Sequence, residues 1–187
     1  EGCAVTSLGS TLVVKILSEK RVEKPEIGLY SHRLGKYWLP GGASNSGGAV
    51  LRNFFQDDEL ESISNQINSH VSTNLDFYPL LGPGERFPIN NPHFEPRLTP
   101  RPNSDVLFLQ GMFEGIARIE ANCYRTISSL GGAFPKIVFT SGGGAHNKVW
   151  TKIRANFLGV TPVTAIHTEA AVGAAQLATG SWLTENS

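Results

Sequence analysis

A run of β-branched and aromatic residues ends in three consecutive glycines at Ile137-Val138-Phe139-Thr140-Ser141-Gly142-Gly143-Gly144-Ala145-His146-Asn147. A strand that stops in bare backbone before a helix lets a flat or charged ligand lie against peptide groups, at the strand end where α/β sheets bind ligands. One glycine would serve a tight turn, so three in a row favour a ligand. No Gly-x-x-x-x-Gly-Lys-Ser/Thr occurs, which excludes a Walker loop. Gly142-x-Gly144-x-x-Asn147 lacks only the third glycine of a dinucleotide fingerprint, and Glu169 follows as an acid for a ribose. That acid stands 27 positions after Gly142, further than the usual ~20. A dinucleotide-binding oxidoreductase fragment therefore stays open as an alternative.

Two other places are suited to anions. Gly9-Ser10-Thr11 combines small hydroxyls with glycine, so side-chain O–H and backbone N–H groups can both reach phosphate oxygens. Residues 41–48, Gly-Gly-Ala-Ser-Asn-Ser-Gly-Gly, lead into Ala49-Val50-Leu51-Arg52-Asn53-Phe54-Phe55. Val50, Leu51, Phe54 and Phe55 have helical spacing, so a helix N-terminus is expected after Gly48, with Arg52 one turn in. His32, His70, His93, His146 and His167 show no metal spacing, and only His146 adjoins the triple glycine. Asp57 and Asp58 read as a solvated helix cap. Glu85 and Arg86 read as an internal ion pair, and Trp38, Trp150 and Trp182 as core anchors.

The elements that must hold these groups are legible in outline. Residues 3–17 predict a hairpin turning at Leu8-Gly9-Ser10-Thr11, followed by a charged turn over 19–26 and short strands at 27–30 and 37–39. Helices are expected over 60–71 and from Ser104 or Asp105 to Leu130, stopped by Gly131-Gly132. Between them, 77–102 is a proline-studded arm, too long for a simple connector. The remainder predicts strand 136–140, a glycine loop, helix 147–158, strand 162–166 and helix 169–178. That βαβα order implies parallel pairing and an α/β class.

Composition narrows the partners. The 187 residues carry 16 Lys and Arg against 16 Asp and Glu, a net charge of zero. An electrostatic binder of nucleic acid or anionic membrane needs a cationic excess, so neither partner is expected. No apolar run approaches the ~18 residues of a membrane span. Two cysteines, Cys3 and Cys123, are too few for a disulfide framework. Both read as packed thiols of a reducing compartment, the cytoplasm, or a plastid if a transit segment stood upstream of Glu1.

Taken in order, Ser7-Leu8-Gly9-Ser10-Thr11, residues 41–49, Gly84-Glu85-Arg86-Phe87-Pro88, Glu114-Gly115-Ile116-Ala117, Ser141-Gly142-Gly143-Gly144-Ala145-x-Asn147 and Glu169-Ala170-Ala171-Val172-Gly173-Ala174-Ala175 resemble the C-terminal domain of the FGGY carbohydrate kinases. The resemblance spans essentially the whole chain, 1–187. Its wording is similar to the xylulokinase branch and to ribulokinase-like proteins of plants and cyanobacteria, with Tyr30 to Leu34 as a further shared phrase.

The resemblance implies a ribonuclease H-like, actin-like ATPase domain, a mixed sheet with flanking helices, that closes over ATP and Mg2+ against a sugar-binding N-terminal domain absent from this chain. It places Gly9, Ser10 and Thr11 at the β- and γ-phosphates, and Gly142, Gly143, Gly144, Ala145 and Asn147 at the adenosine. Gly48 and Arg52 fall at a further nucleotide contact, where arginine is a less usual residue. Residues 169–175 match a connecting helix between the domains. The implied acceptor is a pentulose, D-ribulose or D-xylulose, bound through the other domain, and a homodimer is compatible with the family. The aspartate that takes the sugar proton lies upstream of Ser7 in these kinases, and residues 1–50 contain no Asp. The chain alone is therefore expected to bind ATP or ADP without turning over sugar. A non-catalytic nucleotide-binding or interaction remnant of the kinase fold is the other alternative.

Overall fold

The computed structural model describes residues 1–167 and 170–179. Alternating apolar residues form the expected hairpin: β1 (Cys3–Leu8) and β2 (Leu12–Ile16) pair antiparallel, Leu8 opposite Leu12, around Gly9-Ser10-Thr11. Ala4, Thr6 and Leu8 on β1 and Leu12, Val14 and Ile16 on β2 face the core, as the two-residue period of a strand requires.

The next strands differ from expectation. Pro25 opens a single 3-10 turn, Pro25–Ile27, closed by Gly28 at φ 78°, so pairing begins only at β3 (Tyr30–Leu34). Its antiparallel partner β4 spans Tyr37–Ser44 and runs straight through Gly41 and Gly42. These two glycines are packing residues: a Cβ on Gly41 would lie 1.9 Å from the Val14 carbonyl oxygen, and one on Gly42 2.6 Å from the Phe87 ring.

A short helix α1 (Gly48–Arg52) follows, then α2 (Asp57–Ser64). The helix expected over 60–71 begins earlier because Gln56 and Glu59 form a capping box, and it stops at Asn65. Asp57 and Asp58 occupy the exposed first turn, with Gln56 as the cap. The 25-residue helix α3 (Asp105–Ser129) starts at its Ser104 cap and ends before Gly131-Gly132, as expected. Then come β5 (Ile137–Ser141), α4 (Lys148–Leu158), β6 (Val163–Thr164) and α5 (Ala170–Thr179). Glu169 and Trp182 lie outside the described residues.

The strands form one sheet in the order β3-β4-β2-β1-β5-β6. β5 is parallel to β1 and to β6, and the other pairs are antiparallel. Helix α3 lies on the inward face of β2 and β4, with α4 beside it. Phe108, Leu109, Met112, Phe113 and Ile116 of α3 are fully buried there, each contributing about 1.5–3 kcal/mol of burial. Trp150 is the anchor anticipated for α4: its ring stacks on Phe113 at 4.7 Å and its Nε1–H donates to the Phe113 carbonyl. Trp38 is only half-buried, a platform for the guanidinium groups of Arg21 and Arg33 at the sheet edge. Cys123 is packed in the core, whereas Cys3 is exposed because β1 turns it to the uncovered face of the sheet.

Two buried carboxylates fix the long-range order. Glu120 of α3 is paired with Arg154 of α4 through two hydrogen bonds of 2.7 Å. Arg154 also donates to Thr140 on β5, and the Thr6 hydroxyl on β1 donates to Glu120. The Tyr124 hydroxyl lies 2.9 Å from Thr6; burial first, and then the Glu120 charge, push its phenol well above the ordinary range. Glu85 anchors the proline arm, but not through the Arg86 guanidinium. Its carboxylate accepts from the Ser44 and Tyr78 hydroxyls and from the Asn45 and Arg86 backbone amides. The arm is thereby tied to β4, and the Arg86 guanidinium donates instead to the Ser44 carbonyl.

Candidate functional site

Three backbone turns meet at the C-terminal ends of β1 and β5. The first is Gly9-Ser10-Thr11. The second is Asn45-Ser46-Gly47 entering α1: the Gly48 and Ala49 amides donate to the carbonyls of Gly9 and Ser10, and Leu12 donates to Ser46. The third follows β5, where Gly142 leads into a 3-10 turn, Gly143–His146, before Asn147 caps α4. Gly142 sits at φ 80°, and a Cβ on it would lie 2.7 Å from the Leu8 carbonyl oxygen. A Cβ on Gly144 would lie 2.8 Å from both Leu8 and the Trp150 ring.

Beside these turns lies a cleft of about 770 Å³, within the size range of small-molecule sites. Its buried base is Leu8, Leu51, Phe113 and Trp150, and its sides come from Leu60, Glu61 and Ser64 of α2 and from Gly143, Gly144 and Val149. An apolar base with polar rims suits a ligand that has one flat apolar part and one charged part.

Of the residues singled out in the sequence, Gly9, Ser10, Gly48, Arg52, Gly143, Gly144 and Asn147 border this cleft, with His146 beside them. Thr11, Gly142 and Ala145 stand behind the lining and hold the turns together. Among the glycines that border the cleft, Gly9 and Gly143 differ from Gly48 and Gly144, because a Cβ on either would meet nothing closer than 3.8 and 3.9 Å. No contact within the chain requires glycine there. What a side chain at these two positions would fill is cleft.

Asn147 is committed to structure. Its Oδ1 accepts from the Trp150 amide at the start of α4, and its Nδ2 donates to the Ser64 hydroxyl at the end of α2. It therefore sets the distance between the two sides of the cleft. At the helix start anticipated after Gly48, α1 has only five residues, and the Gly48 and Ala49 amides donate to the carbonyls of Gly9 and Ser10. Its cation is present nonetheless, for Arg52 reaches the cleft with its Nε 2.8 Å from Asp57 Oδ1.

The contribution of α2 was not visible from motifs. Leu60, Glu61 and Ser64 carry no spacing signal, and they arrive through the contact between Ser64 and Asn147, 83 positions apart. Trp150 is read correctly as a core anchor, but its ring and that of Phe113 also form the cleft base. Among the described residues no group of three His, Cys, Asp or Glu side chains is placed to hold a metal ion, and no helix is long and apolar enough to cross a membrane.

The sequence matches the C-terminal domain of the FGGY family of carbohydrate kinases over residues 4–182. In three dimensions the chain is similar to a ligand-bound xylulose kinase from Lactobacillus acidophilus, with a TM-score of 0.76 at 21% identity over 96% of this chain and 39% of that one. A xylulose kinase from Bifidobacterium adolescentis superimposes with a TM-score of 0.75 at 21% identity, over 90% of this chain and 34% of that one. Plasmodium falciparum glycerol kinase with ADP gives 0.64 at 16% identity, over 93% and 37%. The fold is thus the actin-like ATPase fold of these kinases, and the chain spans between a third and two fifths of their length.

Proposed function

Since the chain belongs to the FGGY family of carbohydrate kinases as its C-terminal domain, we propose that it is the ATP-binding half of a kinase that transfers the γ-phosphoryl group of ATP to a pentulose, D-ribulose or D-xylulose. The observation that carries this reading is the pair of glycines, Gly9 and Gly143, that no internal contact requires and that open onto the cleft at the ends of the neighbouring strands β1 and β5. Gly143, Gly144 and Val149 flank the apolar base of Phe113 and Trp150, where a purine would be covered. Gly9, Ser10, Gly48 and Arg52 border the same cleft at the β1 turn, where the phosphates would lie. Thr11, Gly142 and Ala145 support these turns from behind, and Asn147 sets the spacing of α4 from α2.

ATP would supply the phosphoryl group, and Mg2+ would offset the charge of its phosphates. The residues of this chain orient the polyphosphate and exclude water from one side, which is the larger part of phosphoryl-transfer catalysis. The first aspartate in the chain, Asp57, is exposed and paired with Arg52, so it is not a base for a sugar hydroxyl. In this reading residues 1–187 bind nucleotide without sugar turnover, and the acceptor and its base belong to the N-terminal domain. The pentulose assignment draws on the xylulose kinases among the structural relatives.

Calorimetry of the 187-residue chain with Mg-ADP and with NAD tests the reading. Gly143→Leu is the diagnostic variant, since its Cβ would enter the cleft with nothing nearer than 3.9 Å. ADP binding that is lost in Gly143→Leu at an unchanged melting temperature is expected. ADP binding that survives the substitution, or a preference for NAD, overturns it.

A further inference from the structure

Arg52 lies between the turn that enters α1 and the turn that follows β5. A Cβ on Gly48 would be 3.7 Å from its Nη1, and a Cβ on Gly143 would be 3.9 Å from its Nη2. The guanidinium therefore bridges the turn that follows β4 and the turn that follows β5. Its orientation is set from the rear, where Nε donates to Asp57 in the first turn of α2. Among the described residues neither Nη group has an acceptor, so four N–H bonds are left for a ligand.

The pair makes little sense as a stability device. Both side chains are largely exposed, at 54% and 75%, and such pairs contribute roughly 0–1 kcal/mol. A guanidinium held by one edge with its opposite edge free is the geometry that donates to two oxygens of an anion in parallel, which a lysine ammonium does not reproduce.

We propose that Asp57 is a positioning residue that holds Arg52 across the cleft as a two-pronged clamp for the phosphates of a nucleoside di- or triphosphate. The proposal rests on the nucleotide reading above and adds a device to it: Asp57 keeps Nε occupied so that Nη1 and Nη2 point at the ligand together. The clamp reads phosphate charge and leaves the nucleoside to the apolar base.

The test is calorimetry of the 187-residue chain with adenosine, Mg-ADP and inorganic tripolyphosphate, in the wild type, Arg52→Ala, Arg52→Lys, Asp57→Asn and Asp57→Glu. Arg52→Ala is expected to weaken ADP and tripolyphosphate about tenfold or more, as loss of a charge-assisted pair does. Arg52→Lys and Asp57→Asn should each weaken both by about three- to fivefold, with Asp57→Glu restoring most of the affinity and adenosine unchanged throughout. A structural role for Asp57 would move all three ligands together. Arg52→Gln serves in place of Arg52→Ala if the latter melts lower.

Equal affinity of ADP and tripolyphosphate in wild type and Arg52→Ala overturns the clamp, and an unaltered Asp57→Asn overturns the positioning role. Tripolyphosphate binding that depends on Arg52 without any binding of adenosine or ADP keeps the clamp and removes the nucleotide reading. ADP binding that ignores Arg52 does the reverse. A wild type that binds none of the three overturns both.

Discussion

Two arginine–carboxylate pairs of nearly the same length stand in opposite settings. Arg52 and Asp57 meet at 2.8 Å with side chains 54% and 75% exposed, whereas Arg154 and Glu120 meet at 2.7 Å with both at 0%. In the first, water screens the attraction and either partner can be exchanged for another charge at little cost in stability. In the second, neither partner can be removed without stranding a charge in the core, so the pair is locked by the cost of breaking it. The same two strands serve both regions: β1 and β5 send Thr6 and Thr140 inward to the buried pair, and their C-terminal turns carry Gly9 and Gly143 at the cleft. Contact distance therefore does not distinguish a structural pair from one available to a ligand; desolvation does.

The largest expected effect comes from breaking the buried pair. Arg154→Ala should lower unfolding free energy by about 3–5 kcal/mol, read from urea midpoints. The double variant Arg154→Met with Glu120→Leu should recover much of that loss. If the single variant costs under 1 kcal/mol, the contrast between the two pairs collapses.

The junction between the regions should respond at an intermediate level. Asn147→Ala removes a helix cap and the bond to Ser64, with an expected loss of about 1–2 kcal/mol. Because the sides of the cleft then lose their spacing, Mg-ADP affinity should fall as well. Stability lost with ADP affinity intact would show that α2 is held by other contacts.

A third cation lies between the extremes. Lys15 is half-buried with its Nζ 3.8 Å from the centre of the Tyr30 ring, and burial lowers its amine to about 8. From about pH 8 up to the ordinary lysine value near 10.5 the unfolded chain keeps a proton that the folded chain has released, so folding gains stability as pH rises through that window. Against Lys15→Met, the wild type should gain less than about 1 kcal/mol between roughly pH 7 and 10, since solvent reaches the amine and the ring favours its charged form. A relative loss over that interval would refute the sign.

Arg52→Ala should change stability least, by no more than about 0.5 kcal/mol. A loss above 2 kcal/mol in thermal or urea unfolding would place Arg52 with the structural pair.

Much of the architecture was legible because local signals are strong where they occur. The Gly9-Ser10-Thr11 hairpin, the Ser104 cap, the Gly131-Gly132 stop and the strand–glycine–helix passage from Ile137 to Leu158 all form as read. Signals that depend on context failed at particular residues. Gly41 and Gly42 look like loop yet lie in β4, since Val14 and Phe87 pack where their side chains would be. Glu85 and Arg86 look like a pair because they are adjacent, but successive residues point apart, and Glu85 turns inward to Ser44 and Tyr78. Of the ten site residues expected from the sequence, Gly9, Ser10, Gly143, Gly144 and Asn147 border the cleft from turns or a helix cap, and Gly48 and Arg52 reach it from α1. The side formed by α2 was invisible, because no motif marks Leu60, Glu61 or Ser64.

Residue periods, caps and glycine runs already set the order of elements, the α/β class and the two open turns, since each depends on neighbours within a few positions. The pairing of β1 with β5, the closing of Glu120 on Arg154 and the approach of Ser64 to Asn147 join residues from 34 to more than 130 positions apart. Such contacts are chosen by which apolar faces can be buried together and which buried charges can be matched, and those are properties of the packed chain rather than of any segment in it.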